Sequence, residues 1–194
     1  MMGPDQGALR GETLPLLGIA AWSGTGKTTL LEALLPRLVE RGLRVAVIKH
    51  AHHEFEVDRP GKDSHRLRQA GAAPMLVASR RRVALMFEAS GEEEPDLPEL
   101  IELLRPRRPD LVLVEGFKAW PLPKLELHRA ELGKPLLAPQ DPWVQAVASS
   151  SPLTLPEGVV GLDLNDHAAL ADWVAAWPRR WPAVFRPRCE EGPA

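Results

Sequence analysis

The segment Ala21–Thr29, with the sequence AWSGTGKTT, constrains the fold more than any other part of the chain. It differs from the phosphate-binding pattern G-x-x-x-x-G-K-[ST] only in having Ala21 in place of the first glycine. The apolar run 14–21 precedes it and predicts a strand buried on both faces. Leucines at helical spacing from Lys27 to about Glu40 predict an amphipathic helix after it. A strand, a glycine-rich turn and a helix in this order predict a phosphate-binding loop.

The residues of this turn each suit the binding of a nucleotide. Gly24 and Gly26 let the backbone turn tightly, so that successive N–H groups can point at an anion. The ammonium of Lys27 would contact the β- and γ-phosphates, and the hydroxyl of Thr28 would ligate Mg²⁺. The alternative is a glycine-rich turn with an incidental lysine, which the flanking strand and helix disfavour.

Two carboxylates are candidate partners for the metal. Glu115 follows the apolar run 111–114, so it should lie at the carboxyl end of a buried strand, where ligands bind in open α/β sheets. Asp63 follows a polar loop that should reach the same edge. Either could hold Mg²⁺ or its water shell. The alternatives are a surface glutamate that ends a strand, and an aspartate that, with Ser64, caps the next helix.

The remaining patterns predict one three-layer α/β domain with the fold of P-loop nucleotide hydrolases. A strand at 44–49 completes a βαβ unit, which commits the sheet to mostly parallel pairing flanked by helices. The runs 73–78 and 83–87 predict a small antiparallel hairpin extension. Further predicted strands are 111–114, 124–128, 143–148 and 159–164, and further predicted helices are 64–70, 99–105 and 167–177. We expect a flexible leader at 1–13, a single nucleotide-binding domain at 14–178 and a Pro/Arg-rich tail at 179–194.

Charge and composition exclude several functional classes. The chain has 24 Lys+Arg against 26 Asp+Glu, a balance that argues against a nucleic-acid binder. A single cysteine, Cys189, cannot form an intramolecular disulfide. The sequence shows no signal peptide and no apolar run of membrane-spanning length, so we expect a cytoplasmic protein without membrane contact. Four of the six lysines fall on loops expected to meet at the nucleotide edge, and they are Lys27, Lys49, Lys62 and Lys118.

The histidines at 50, 52 and 53, with Asp58, superficially match a transition-metal site. Adjacent residues such as His52 and His53 point apart in an extended segment, so a solvated or substrate-contacting loop is favoured. The residues alone do not assign a role to this group.

Eight segments carry a further pattern, and they are 20–31 (AAWSGTGKTTLL), 48–53 (IKHAHH), 57–64 (VDRPGKDS), 68–73 (RQAGAA), 77–79 (VAS), 84–86 (ALM), 113–118 (LVEGFK) and 162–166 (LDLND). Together these segments resemble the MobB family of molybdopterin-guanine dinucleotide biosynthesis adapter proteins. The resemblance implies a GTP-binding protein with weak hydrolysis, usually a homodimer. Such a protein assists the guanylyltransferase that converts molybdopterin to molybdopterin guanine dinucleotide, and molybdopterin is a second candidate ligand.

The resemblance also carries site roles onto matching positions. It implies GTP and Mg²⁺ as cofactors, with the metal region flanked by Thr28, Asp63 and Glu115. Lys27, Asp63 and Glu115 are the candidates for any catalytic role. The implied nucleotide contacts are Ser23, Gly24, Thr25, Gly26, Lys27, Thr28, Thr29 and Lys49. The guanine signature N-K-x-D is absent, so Asn165 and Asp166 are the candidates for contact with the base, or else an N-cap of the last helix.

Two alternatives remain open at the level of residues. A small-molecule kinase or ATP-dependent ligase could use the same fold, with the loop at 50–63 supplying a substrate pocket. A metal-insertion GTPase could use the three histidines. Whether the chain is an enzyme also stays open, since no catalytic base or arginine finger is evident. Asp63, Glu115 or a partner would have to activate water, and slow turnover is expected.

Overall fold

Strands and helices alternate along the chain in the computed structural model, which describes residue 9 and residues 11–51, 55–88 and 94–184. The strands are β1 Leu16–Ala20, β2 Val45–Lys49, β3 Met75–Ala78, β4 Val83–Met86, β5 Leu111–Glu115, β6 Lys124–His128, β7 Val144–Ser149 and β8 Val160–Asp163. The helices are α1 Lys27–Glu40, α2 Asp63–Gln69, α3 Leu97–Leu104, α4 His167–Ala175 and α5 Trp177–Val184. The described residues form two compact units, of which the second spans Ala51–Asp96 and the first contains the rest.

The first unit is built on one sheet with the strand order β2-β5-β1-β6-β7-β8, and each neighbouring pair is parallel. Parallel strands need crossover connections, and here α1 lies in the connection from β1 to β2 while α2 and α3 lie in the connection from β2 to β5. Because every strand runs in the same direction, all six carboxyl ends lie at one edge of the sheet. The prediction of a mostly parallel sheet flanked by helices is confirmed.

The core of the first unit lies between this sheet and its helices. Every residue of β1, β5 and β6 is buried, as the apolar runs in β1 and β5 predict. Helix α1 contributes a buried leucine stripe, Leu30, Leu31, Leu34 and Leu38. In the described part of the chain, each helix is too short or too polar to cross a bilayer.

The end of the described chain differs from the sequence-based prediction. One helix was expected over 167–177 with a tail from 179, whereas the structure ends α4 at Ala175 and begins α5 at Trp177. The indole of Trp177 is buried and its Nε1 donates a hydrogen bond to the carbonyl of Leu16 at 2.8 Å. Residues 185–194 of the expected tail, and residues 1–8 and 10 of the leader, lie outside the described residues, and the domain boundaries at 14 and 178 stay predictions.

The second unit contains α2 and an antiparallel pair of strands. Strands β3 and β4 pair from Met75 opposite Met86 to Ala78 opposite Val83, which confirms the predicted hairpin. Arg68 in α2 forms ion pairs with Glu56 and Glu88. These contacts connect the segment before α2 and the segment after β4 to the helix.

Candidate nucleotide-binding site

The turn that joins β1 to α1 has the backbone geometry of an anion-binding loop. Gly24 has a φ of 81° and Gly26 a φ of 97°, in the left-handed region that favours glycine. Gly26 is the N-cap of α1 and supplies no side-chain cap, and Lys27 begins the helix. The first N–H groups of α1 and its positive dipole end therefore face the turn, which suits a bound phosphate.

The turn is held by hydrogen bonds of its own and by bonds from a neighbouring segment. Thr25 is buried, and its hydroxyl donates to the carbonyl of Trp22 at 2.8 Å. Arg129, which follows β6, donates from Nε to the carbonyl of Thr25 at 3.0 Å. The indole Nε1 of Trp22 donates to the carbonyl of Pro135 at 2.8 Å. The loop is therefore braced before any ligand arrives, which reduces the ordering cost of binding.

Arg129 is a residue that the sequence analysis missed. Strand β6 pairs directly with β1, so the residue that follows β6 comes out beside the phosphate-binding turn. The sequence predicts both β1 and β6, but the adjacency of these two strands depends on the sheet order. A local pattern contains no information on that order.

Glu115 lies at the same edge of the sheet as the turn. In the parallel register Glu115 pairs with Ile19 of β1 on one side and with Lys49 of β2 on the other. Its carboxylate is largely buried, and Oε2 lies 3.6 Å from the ammonium of Lys49. The sheet thus brings together the turn, Glu115 and Lys49, as the sequence predicted for strand ends.

A cluster of positive charge surrounds the indole of Trp22. The ammonium groups of Lys118 and Lys134 lie 5.4 and 5.9 Å from its ring centroid. Burial lowers the pKa of Lys118, and the nearby charge of Lys27 lowers it further. Repulsion between Lys27 and Lys118 would be relieved by an anion, so their proximity favours a polyphosphate at this place.

The residues present also suit a hard divalent cation. The Thr28 hydroxyl, in the first turn of α1, and the Glu115 carboxylate provide the oxygen ligands that Mg²⁺ prefers. Asp63 belongs to the second unit, where it is the first residue of α2. Its assignment to the metal stays a prediction.

Of the three histidines in this group, the structure describes only His50. His50 packs its ring on Phe117, with centroids 5.1 Å apart, and its backbone N–H donates to the carbonyl of Glu115 at 2.8 Å. His52 and His53 lie outside the described residues. Among the residues that the structure describes, no group of three or more His, Cys, Asp or Glu side chains could hold a metal ion.

Asp166 has a structural role at the end of β8. Its carboxylate accepts hydrogen bonds from the N–H groups of Ala168 and Ala169 at 3.1 and 2.9 Å, which makes it the N-cap of α4. This is the alternative that the sequence left open for Asp166. Asn165 is exposed beside it, and its contact with a base stays a prediction.

A glycine-rich turn between a central parallel strand and a helix, followed directly by lysine and threonine, defines the P-loop class of nucleotide-binding proteins. This chain is a member of that class. It belongs to the MobB family, because the family model for molybdopterin guanine dinucleotide synthesis protein B matches residues 16–150.

Relatives and solved structures support the same assignment. The chain is 50% identical to the molybdopterin-guanine dinucleotide biosynthesis adapter protein of Escherichia coli (strain K12), over 89% of this chain and 98% of that protein. It is 46% identical to the adapter protein of the same name from Haemophilus influenzae, over 84% and 89%. The crystal structure of Bacillus subtilis MobB superimposes with a TM-score of 0.65 at 27% identity, covering 84% of this chain and 98% of that one. These relatives do not favour the kinase, ligase or metal-insertion alternatives.

Proposed function

We propose that this chain binds GTP with Mg²⁺ at the P-loop and acts as an adapter in the synthesis of molybdopterin guanine dinucleotide. The observation that carries the proposal is the braced turn with Lys27 at its end and Glu115 on the adjacent strand. Two relatives, 50% and 46% identical to this chain, are named adapter proteins for that synthesis. The proposed partner is the guanylyltransferase that uses the nucleotide. The proposed location is the cytoplasm, where guanine nucleotides are available.

The chemistry of the site follows from the positions of its charges. Lys27 and the first N–H groups of α1 would neutralise the phosphates, while Thr28 and Glu115 would hold Mg²⁺. Lys49 would orient the carboxylate of Glu115 through their 3.6 Å ion pair. The part of Asp63 in the metal region stays a prediction. Since Glu115 is assigned to the metal, the attacking water has no dedicated base among the described residues of the first unit, and we expect slow hydrolysis.

Titration of the purified protein with GTP and ATP, with and without Mg²⁺, tests the nucleotide. We expect Mg²⁺-dependent binding of GTP. This binding should be lost in Lys27→Ala, because the variant lacks the ammonium that would contact the β- and γ-phosphates. Arg179→Ala is the matched control, since it removes an exposed cation of α5 in the same unit. If the wild-type protein binds neither nucleotide, the proposed function is wrong.

The adapter role is tested with the guanylyltransferase itself. We expect the immobilised chain to retain that enzyme, and more of it in the presence of GTP than in its absence. The Lys27→Ala variant should lose the GTP-dependent increment. Retention that is the same with and without nucleotide would contradict a GTP-dependent adapter. Rapid ATP consumption with a pterin or small carboxylic acid would instead favour a kinase or ligase.

We further propose a homodimer formed through the β3–β4 hairpin. The side chains of Leu76, Val83, Leu85 and Phe87 are 60%, 53%, 47% and 52% exposed. A two-stranded sheet with so many exposed apolar side chains is marginal in water, and a second copy could cover it. Light scattering on Leu76→Glu/Leu85→Glu should show a monomer, whereas Arg81→Glu in the hairpin turn should stay dimeric. A monomeric wild-type protein would refute the homodimer.

A further inference from the structure

A cavity of about 370 Å³ lies at the same sheet edge as the P-loop, between the ends of β7 and β8. Its walls include the serines at 149–151, the side chains of Leu153 and Leu155, and Asp163. Strand β7 lies two positions from β1 in the sheet, which corresponds to about 10 Å. An extended nucleoside triphosphate whose phosphates occupy the P-loop could therefore place its base in this cavity.

The composition of the cavity suits a flat, polar-edged ring. Leucine side chains and a proline provide apolar contact area, and the serine loop provides neutral hydrogen-bonding groups. Asp163 is the only charged residue among those that line it. A single carboxylate in a largely neutral wall is the group that would decide which base is accepted.

Asp163 keeps hydrogen-bonding capacity for a ligand. It ends β8 and is exposed, and its Oδ1 accepts the N–H of Asn165 at 2.8 Å. An ionised carboxylate has about four lone-pair sites on two oxygens, so one backbone bond leaves most of them available. The nearby Asp166 differs, because two N–H groups of α4 occupy its carboxylate.

The chemistry of a carboxylate favours guanine over adenine. Guanine presents two adjacent donors, N1–H and the 2-amino group, which match the two oxygens of a carboxylate. Adenine presents an acceptor at N1, which a carboxylate repels. We propose that Asp163 reads the Watson–Crick edge of guanine in this cavity and makes the site specific for guanine nucleotides. This inference rests on the proposed binding of GTP at the P-loop, and it names the residue that selects the base.

The decisive variant is Asp163→Asn, tested with GTP and with xanthosine triphosphate. Xanthine carries a carbonyl where guanine has its 2-amino group, so an asparagine amide can donate to it. We expect the wild-type protein to prefer GTP, and the variant to prefer xanthosine triphosphate by about tenfold to a hundredfold. The asparagine oxygen can still accept the N–H of Asn165, so the fold should be retained, and a urea midpoint checks this.

The matched control is Glu157→Gln, which removes a negative charge from an exposed position of the loop that connects β7 to β8. It should leave the ratio of GTP to xanthosine triphosphate affinity unchanged. Wild-type binding of GTP, together with an unchanged ratio in Asp163→Asn, would overturn this inference and leave the proposed function standing. Equal wild-type affinity for GTP and ATP would overturn it as well. If the wild-type protein binds no nucleotide, the proposed function itself fails.

Discussion

Substitution of Gly116 by alanine should destabilise the protein through a specific contact. Gly116 follows Glu115 and has a φ of 101°, which a residue with a Cβ rarely adopts. An added Cβ would lie 2.7 Å from the Cβ of His50 and 3.2 Å from its carbonyl oxygen. His50 cannot easily move away, because its backbone N–H donates a hydrogen bond to the carbonyl of Glu115 at 2.8 Å.

The magnitude combines two costs. The left-handed backbone costs an alanine about 1–2 kcal/mol, and overpacking against a fixed neighbour costs about 1–3 kcal/mol. The free energy of unfolding should therefore fall by about 2–5 kcal/mol. At about 2–4 °C per kcal/mol for a chain of this size, the Tm should fall by about 4–20 °C. Urea unfolding followed by tryptophan fluorescence, together with a thermal scan, measures both quantities.

Gly42→Ala is the control that isolates the contact. Gly42 has a φ of 82°, and an added Cβ there would meet nothing within 4 Å among the described residues. It should incur only the backbone cost of about 1–2 kcal/mol. If Gly116→Ala is no more destabilising than Gly42→Ala, the reasoning from the His50 contact is refuted.

Two further predictions concern the edges of the same sheet. Hydrogen bonds from Arg44 hold the pKa of Asp110 below its usual range. These bonds therefore stabilise the folded protein at a pH above the unfolded pKa of about 4, and this stabilisation is lost as the pH falls below that value. Asp110→Asn should thus be less stable than wild type at pH 7, with a difference in urea midpoint that shrinks below pH 4; a constant difference would contradict this. Arg129→Ala should weaken nucleotide binding several-fold in a titration with little change in urea midpoint, because it removes a brace on the P-loop; unchanged affinity would show that the brace is dispensable.

The elements around the P-loop could be predicted because their signals are local. Helix α1 has the predicted bounds, Lys27–Glu40, since a glycine precedes it and a leucine stripe runs along it. Strand β6 likewise spans the predicted residues 124–128. Glu115 and Lys49 were placed correctly because both end apolar runs, and parallel strands end at one edge. The site could be read from sequence as far as it is made of strand ends and one turn.

Helix α5 was missed because its signal conflicts with its surroundings. The sequence WPRRWPAV contains prolines at 178 and 182, which suggest an irregular tail. Pro178 falls in the first turn, where a missing N–H costs nothing. Trp177 and Trp181 are four residues apart on one helical face, and each indole donates to a backbone carbonyl, of Leu16 and Glu12 respectively. Those acceptors lie at the other end of the chain, so tertiary contact decides the conformation.

The polar face of β6 explains how an irregular segment can support the P-loop. One face of this strand consists of three polar residues, Lys124, Glu126 and His128, and all three are buried. Their alternation with leucine predicts a strand but does not predict that they are buried. The Glu126 carboxylate accepts the N–H groups of Leu137 and Ala138 at 2.7 and 2.8 Å.

The same face of β6 binds both ends of the irregular segment 134–141. His128 bonds the carbonyl of Lys134 at 3.2 Å, and Lys124 donates to Asp141 at 2.9 Å. The backbone groups of a segment without regular structure need such partners when they are buried. Between the anchors at Lys134 and Leu137 lies Pro135, whose carbonyl receives the indole N–H of Trp22 from the P-loop. The buried polar face of β6 therefore fixes the backbone that braces the P-loop, which accounts for charged residues on a central strand that packing alone would fill with apolar ones.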